Sequence, residues 1–190
     1  NECGTGDWAG PFVFATLVDV CGNFESSDVP KNIPGNAVNT VEVKLNVPAG
    51  GKISDLNITQ IQGDHQFFKD IEMHLISPSN TDVLLFKDKC PNYNGSFNFG
   101  FDDSKPALFG CPPPKDAPSY KPTGLLSDFN GQDAGGQWLL RIKDNQIGSG
   151  GSIGAFKLEL CSSTVLNPPV LVNNNVMSID PGTNKAVTPD

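Results

Sequence analysis

The 190-residue sequence is short of positive charge, of methionine and of long apolar runs. Thirteen Lys and Arg stand against 21 Asp and Glu, a formal net charge of −8, so the surface repels a phosphate backbone and argues against a nucleic-acid partner. No stretch approaches the roughly 18 apolar residues that span a bilayer, and none has the period of a long amphipathic helix. Asn1-Glu2-Cys3 does not resemble the start of a signal peptide, and the chain is expected to come from the middle of a longer precursor. His65 and His74 lie outside any H-E-x-x-H, so a zincin site is absent. The five cysteines form no C-x-x-C pair and have no flanking histidine, which argues against zinc and against a thioredoxin-like motif.

What the sequence does have is glycine (20), proline (16) and short alternations of apolar and polar residues. Val41, Val43, Leu45 and Val47 alternate with Glu42, Lys44 and Asn46, the pattern of a strand with one wet face. Leu56 and Ile58 share a face of a strand over 53–61. Phe67, Ile71, Met73 and Leu75 are expected inward, with Asp70, Glu72 and His74 outward. Asn80 closes the turn after this strand, where a left-handed backbone is tolerated. Strands follow over 83–86 and 97–101. Trp138, Leu140 and Ile142 then alternate with Leu139, Arg141 and Lys143, as Phe156, Leu158 and Leu160 do with Lys157 and Glu159, and the glycine-rich stretch between reads as the turn of a closing β-hairpin. The chain is therefore expected to be all-β, an antiparallel β-sandwich. Its core is expected to include Val43, Leu45, Leu56, Ile58, Ile71, Met73, Leu75, Phe99, Trp138, Leu140, Ile142, Phe156 and Leu158.

Cysteines at 3, 21, 90, 111 and 161 read as disulfides with one left over, which fits an exported, oxidising setting, secreted or at the cell surface. Cys90 with Cys111 would tie a proline-rich excursion over 102–125 to the neighbouring loop. Cys21 with Cys161 would join the first and last parts of the domain, leaving Cys3 over. Before Cys21, residues 11–20 form one strand-like segment, which is either the last strand of an upstream module or an added strand of the main domain.

Gly150-Gly151-Ser152-Ile153-Gly154 satisfies the G-x-S-x-G pattern of a hydrolase nucleophile elbow. That elbow needs a helix after the serine and a histidine later in the chain. Here a strand follows, and neither His65 nor His74 comes after Ser152. A glycine-rich turn is the favoured reading, and no catalytic residue is assigned.

Several blocks along the chain resemble the P (Homo B) domain that follows the catalytic domain of proprotein convertases and of secreted bacterial subtilisin-like proteases. They are VPKNIP (29–34), ISDL (53–56), DIEMHLISPSNT (70–81), FDDS (101–104), and the run from Leu126 through Phe129-Asn130-Gly131 and Gly136-Gln137-Trp138 to Asp144 and Gly151. The resemblance covers about residues 29–162, with 1–28 as an extension or the end of an upstream module and 163–190 as a linker towards a downstream one. It implies a jelly roll and a non-catalytic accessory module that stabilises or positions neighbouring domains of the same precursor, and it leaves any serine protease domain to the parent. It also implies calcium, for which Asp70, Asp102, Asp103 and Asp133 are the candidate ligands, since hard cations take six to eight oxygens from loop carboxylates and carbonyls. Turn aspartates that cap backbone amides are the competing reading. Gly35 and Ser149 stand where the family often has Asp, and each removes a candidate ligand; Phe156 replaces a common Trp. The alternative function is a surface adhesion module that recognises a carbohydrate or a protein at its loop end, for which Trp8, Tyr93 and Tyr120 are the available aromatics.

Overall fold

Alternating apolar residues give each strand one face to bury, and two sheets packed face to face bury them all. The computed structural model describes residues 16–107, 110–166, 178–179 and 186–187. In chain order the strands are β1 (Thr16–Glu25), β2 (Lys31–Ile33), β3 (Asn39–Val47), β4 (Lys52–His65), β5 (Ile71–Ile76), β6 (Asp82–Phe86), β7 (Gly95–Phe101), β8 (Ser119–Tyr120), β9 (Gly136–Asp144) and β10 (Gly151–Leu166). One sheet runs β1-β10-β4-β7-β8, with β2 also on β10, and the other runs β3-β9-β5-β6. The short β7–β8 pair is parallel. The sandwich spans the compact unit Val18–Thr164, and a second unit, Asn1–Leu17 with Val165–Asp190, contains β11 (Ser178–Ile179) paired antiparallel with β12 (Ala186–Val187).

All thirteen residues expected in the core are buried, none more than 2% exposed. Phe68, Phe86, Phe97, Phe99 and Phe101 add a run of ring contacts with centroids 5.2 to 6.4 Å apart. Trp138 packs edge-on to Phe129 at 5.1 Å and donates its indole N–H to the Ala134 carbonyl at 3.0 Å, so its one polar atom is satisfied inside.

The structure departs from the sequence reading in two places. β9 and β10 are not a hairpin. β9 lies between β3 and β5, and β10 between β1 and β4, so residues 145–150 cross from one sheet to the other. Gly151 opens β10 because a side chain there would run into the Asp64 carbonyl oxygen of β4. Next, Phe67 points out, 51% exposed, while Phe68 is buried; the 3₁₀ turn Phe68–Asp70 interrupts the period-two count before Ile71. Of the strand-like segment over 11–20, residues 16–20 belong to β1, which flanks β10 as the edge of the first sheet and is tied to it by the Cys21–Cys161 bond, while residues 11–15 lie outside the described residues.

Bond formation between Cys90 and Cys111 anchors the proline-rich excursion, as its spacing suggested. Beyond that bond the excursion follows the edge of β7. Asn98 N–H donates to Pro114 O at 2.8 Å and Gly100 N–H to Pro118 O at 2.9 Å, so backbone groups that would otherwise be an open edge are paired.

Candidate functional site

Where β4 and β9 end, the connections 66–70, 87–94 and 145–150 meet around a groove of about 630 Å³. Lys69, Asp88, Asn92 and Gln146 line it, and Phe67 and Ile147, the latter 70% exposed, stand at its rim. Tyr93 is packed partly against the core and donates its hydroxyl to Ser96 O at 2.6 Å, and Tyr120 is likewise partly packed in. Among the described residues, the exposed aromatic at this end is therefore Phe67. Trp8 falls outside the described residues.

Beside the groove lies a polar pair that the sequence reading did not single out. His65 and Asp144 are both fully buried, with His65 Nε2 and Asp144 Oδ2 3.6 Å apart and neither atom otherwise hydrogen bonded. The other ring nitrogen of His65 is 2.8 Å from Phe67 O, and Asp144 Oδ1 accepts the Gln146 N–H at 3.2 Å. Burial pushes the Asp144 carboxyl up from the ordinary carboxylate value, and the Gln146 amide and the neighbouring His65 offset only part of that rise.

The four aspartates considered as calcium ligands do not share a site. Asp70 accepts the Ser149 hydroxyl at 3.1 Å on Oδ2, at the His65 end of β4. Asp133 pairs with Lys52 at 2.8 Å, at the other end of that fourteen-residue strand, about 40 Å away at 3.3 Å per residue. Asp103 caps a 3₁₀ turn (Leu126–Phe129), accepting the Leu126 N–H at 3.0 Å and the Ser127 N–H at 2.9 Å. Partial burial raises Asp102, but the Ser104 amide and hydroxyl and the charge of Lys105 outweigh it and hold the carboxyl below its ordinary value. Among the described residues no three His, Cys, Asp or Glu side chains are placed to hold one metal ion. The buried Asp144 does not supply the missing centre, because its open oxygen faces an imidazole, a poor ligand for a hard cation.

Ser152 lies in β10, not in a strained turn, and its hydroxyl donates to Asp64 Oδ1. His74 is on the outer face of the four-stranded sheet with its two ring nitrogens 2.6 Å from Asp82 and Glu72. Neither histidine is hydrogen bonded to Ser152 in this arrangement.

Residues 57–160, more than half of the chain, match the family model described as the proprotein convertase P-domain. The chain belongs to the proprotein convertase P-domain family. Among solved structures, this P-domain is similar to a serine protease of Aeromonas sobria in complex with its chaperone, at 12% identity and a TM-score of 0.48, covering 78% of this chain and 27% of that one. A second structure, of the Aeromonas sobria serine protease, matches at 13% identity and a TM-score of 0.47, covering 77% and 27% respectively. The P-domain chain thus spans about a quarter of the length of those chains. The comparison with curated proteins gave no match.

Proposed function

We propose that this P-domain is a non-catalytic accessory module of a larger exported protein, where it stabilises or positions a neighbouring domain, a serine protease in a convertase-like parent. The observation that carries the reading is the state of Ser152 within a family match: the hydroxyl donates to Asp64, His74 is paired with Asp82 and Glu72, and His65 is buried in the interior facing Asp144. A serine nucleophile needs a base within hydrogen-bond reach. Two disulfides support an extracellular location, secreted or at the cell surface. The test is made on the parent polypeptide. Deleting residues 18–164 should lower the melting temperature of the adjoining domain and its secreted yield. An adjoining domain that melts and is secreted unchanged would contradict the role.

The groove with Phe67 at its rim favours a second reading, recognition of a carbohydrate or a protein at the loop end, because sugars stack on exposed aromatic faces beside polar side chains. Binding to a glycan array that is lost in Phe67→Ala would support it; no binding by the wild-type chain would remove the carbohydrate form.

A further inference from the structure

We infer that the loop end of this P-domain is closed by a hydrogen-bonded latch that works without a divalent cation, and that Ser149 is the positioning residue that makes the cation unnecessary. The crossing loop 145–150 is held from two directions. From one side, Asp70 O accepts the Asn145 backbone N–H at 2.9 Å and its side-chain amide at 3.3 Å, while Asp70 Oδ2 accepts the Ser149 hydroxyl. Gln66 adds a reciprocal pair: its N–H donates to Gly150 O at 2.9 Å, and its Oε1 accepts the Gly150 N–H at 3.1 Å. From the other side, Gly148 N–H donates to Gly35 O at 2.8 Å.

The chemistry at residue 149 decides what this arrangement requires. Ser149 is only 4% exposed and presents a neutral donor to the Asp70 carboxylate. A carboxylate in its place would face Asp70, a second carboxylate, with the buried Asp144 close enough to be influenced by the charge of Asp70. Like charges gathered at a partly buried site repel unless a cation or a proton compensates them. At Gly35 there is no room for an acidic side chain, since a Cβ built there would lie 2.8 Å from the backbone carbonyl of Ser149. At both positions where family resemblance leads one to expect Asp, backbone contact or a hydroxyl donor occupies the space instead.

The experiment compares thermal melting of the wild-type chain in calcium and in EDTA, with elemental analysis of the purified protein. The expected result is one melting temperature in both buffers and no stoichiometric metal. A melting temperature that rises with calcium, or metal that copurifies at one per chain, would overturn the inference. Two variants assign the role to Ser149. S149A should melt a few degrees lower in both buffers. S149D should melt lower still in EDTA and recover when calcium is added, because the two carboxylates then have a shared counter-ion. An S149D protein that is as stable as wild type in EDTA would show that Ser149 does not set the requirement. If S149D does not fold, the two wild-type measurements still decide whether the latch needs metal.

Discussion

The interior of the sandwich and its loop end are stabilised in different ways. In the interior, the side chains of residues such as Leu140, Ile142 and Met73 are fully buried and wholly apolar, so their stabilisation scales with apolar area and tolerates small errors of position. At the loop end, the crossing loop depends on individual donors and acceptors contributed by Gly35, Gln66, Asp70 and Asp144. Losing one donor there leaves a specific partner unsatisfied and little else disturbed. The interior therefore sets how much stability the domain has, and the loop end sets which shape the groove takes.

The largest effect should come from the covalent cross-links, which tie the edge strand β1 and the proline-rich excursion to the sandwich. Replacing Cys21 and Cys161 by Ser opens a closed loop 140 residues long and should cost about 5 kcal/mol on the chain-entropy model, against about 3 kcal/mol for the pair Cys90 and Cys111, which are 21 apart. Urea denaturation of the two double variants checks the order, and equal losses would show that loop length is not the governing quantity. Trp138→Ala, which empties a fully buried site against Phe129, should cost about 3–5 kcal/mol. If Trp138→Ala costs no more than a loop-end substitution, the contrast between the two regions fails.

Asp144 sharpens the comparison through pH. Its folded carboxyl is raised by burial, so the native state binds more protons than the unfolded state in the window from the ordinary carboxylate value upward. Stability should then fall as pH rises through that window. Glu72 acts in the opposite sense. Lys143, then His74, hold its carboxyl below the ordinary value, so its contribution is present above that value and is lost as pH falls through the lowered one. Asp144→Asn should remove the falling limb and keep the acid-side loss, as read from denaturation midpoints across the acidic range. A variant whose pH profile parallels that of wild type would mean that Asp144 does not titrate as its burial requires.

Smaller changes are expected from single caps. Asp103→Ala removes the acceptor for two amides at the 3₁₀ turn that carries Phe129 to Trp138 and should cost about 1 kcal/mol. Ser152→Ala should change stability least, and it should leave the chain as unreactive towards a serine-hydrolase probe as wild type. Covalent labelling at Ser152 would contradict the non-catalytic reading.

The interior was legible in the sequence because side chains on a strand repeat every second residue, so Val43 and Leu45, or Trp138 and Leu140, announce one face by themselves. The loop end was not, because its contacts join residues far apart in the chain, such as Asp70 with Ser149 and Asp103 with Ser127. Periodicity could not show that the 3₁₀ turn exchanges Phe67 for Phe68, nor that the glycine-rich stretch changes sheets instead of reversing within one. One signal was available. Asp144 continues the inward parity of Trp138, Leu140 and Ile142, and His65 continues that of Ile61 and Gly63, so extending both alternations by one step would have placed the two facing inward. The aspartates were ambiguous for a related reason: a carboxylate beside a strand end reads alike whether it binds a cation or caps an amide, and only the partner distinguishes them.

Amide hydrogen exchange of the wild-type chain, run in parallel in calcium and in EDTA, tests the account most directly. Amides in the centres of β4, β5 and β9 should exchange only through global unfolding, those of 145–150 through a local opening of lower free energy, and both sets should be the same in the two buffers. Exchange at 145–150 that slows when calcium is supplied would contradict a loop end closed by the protein's own donors.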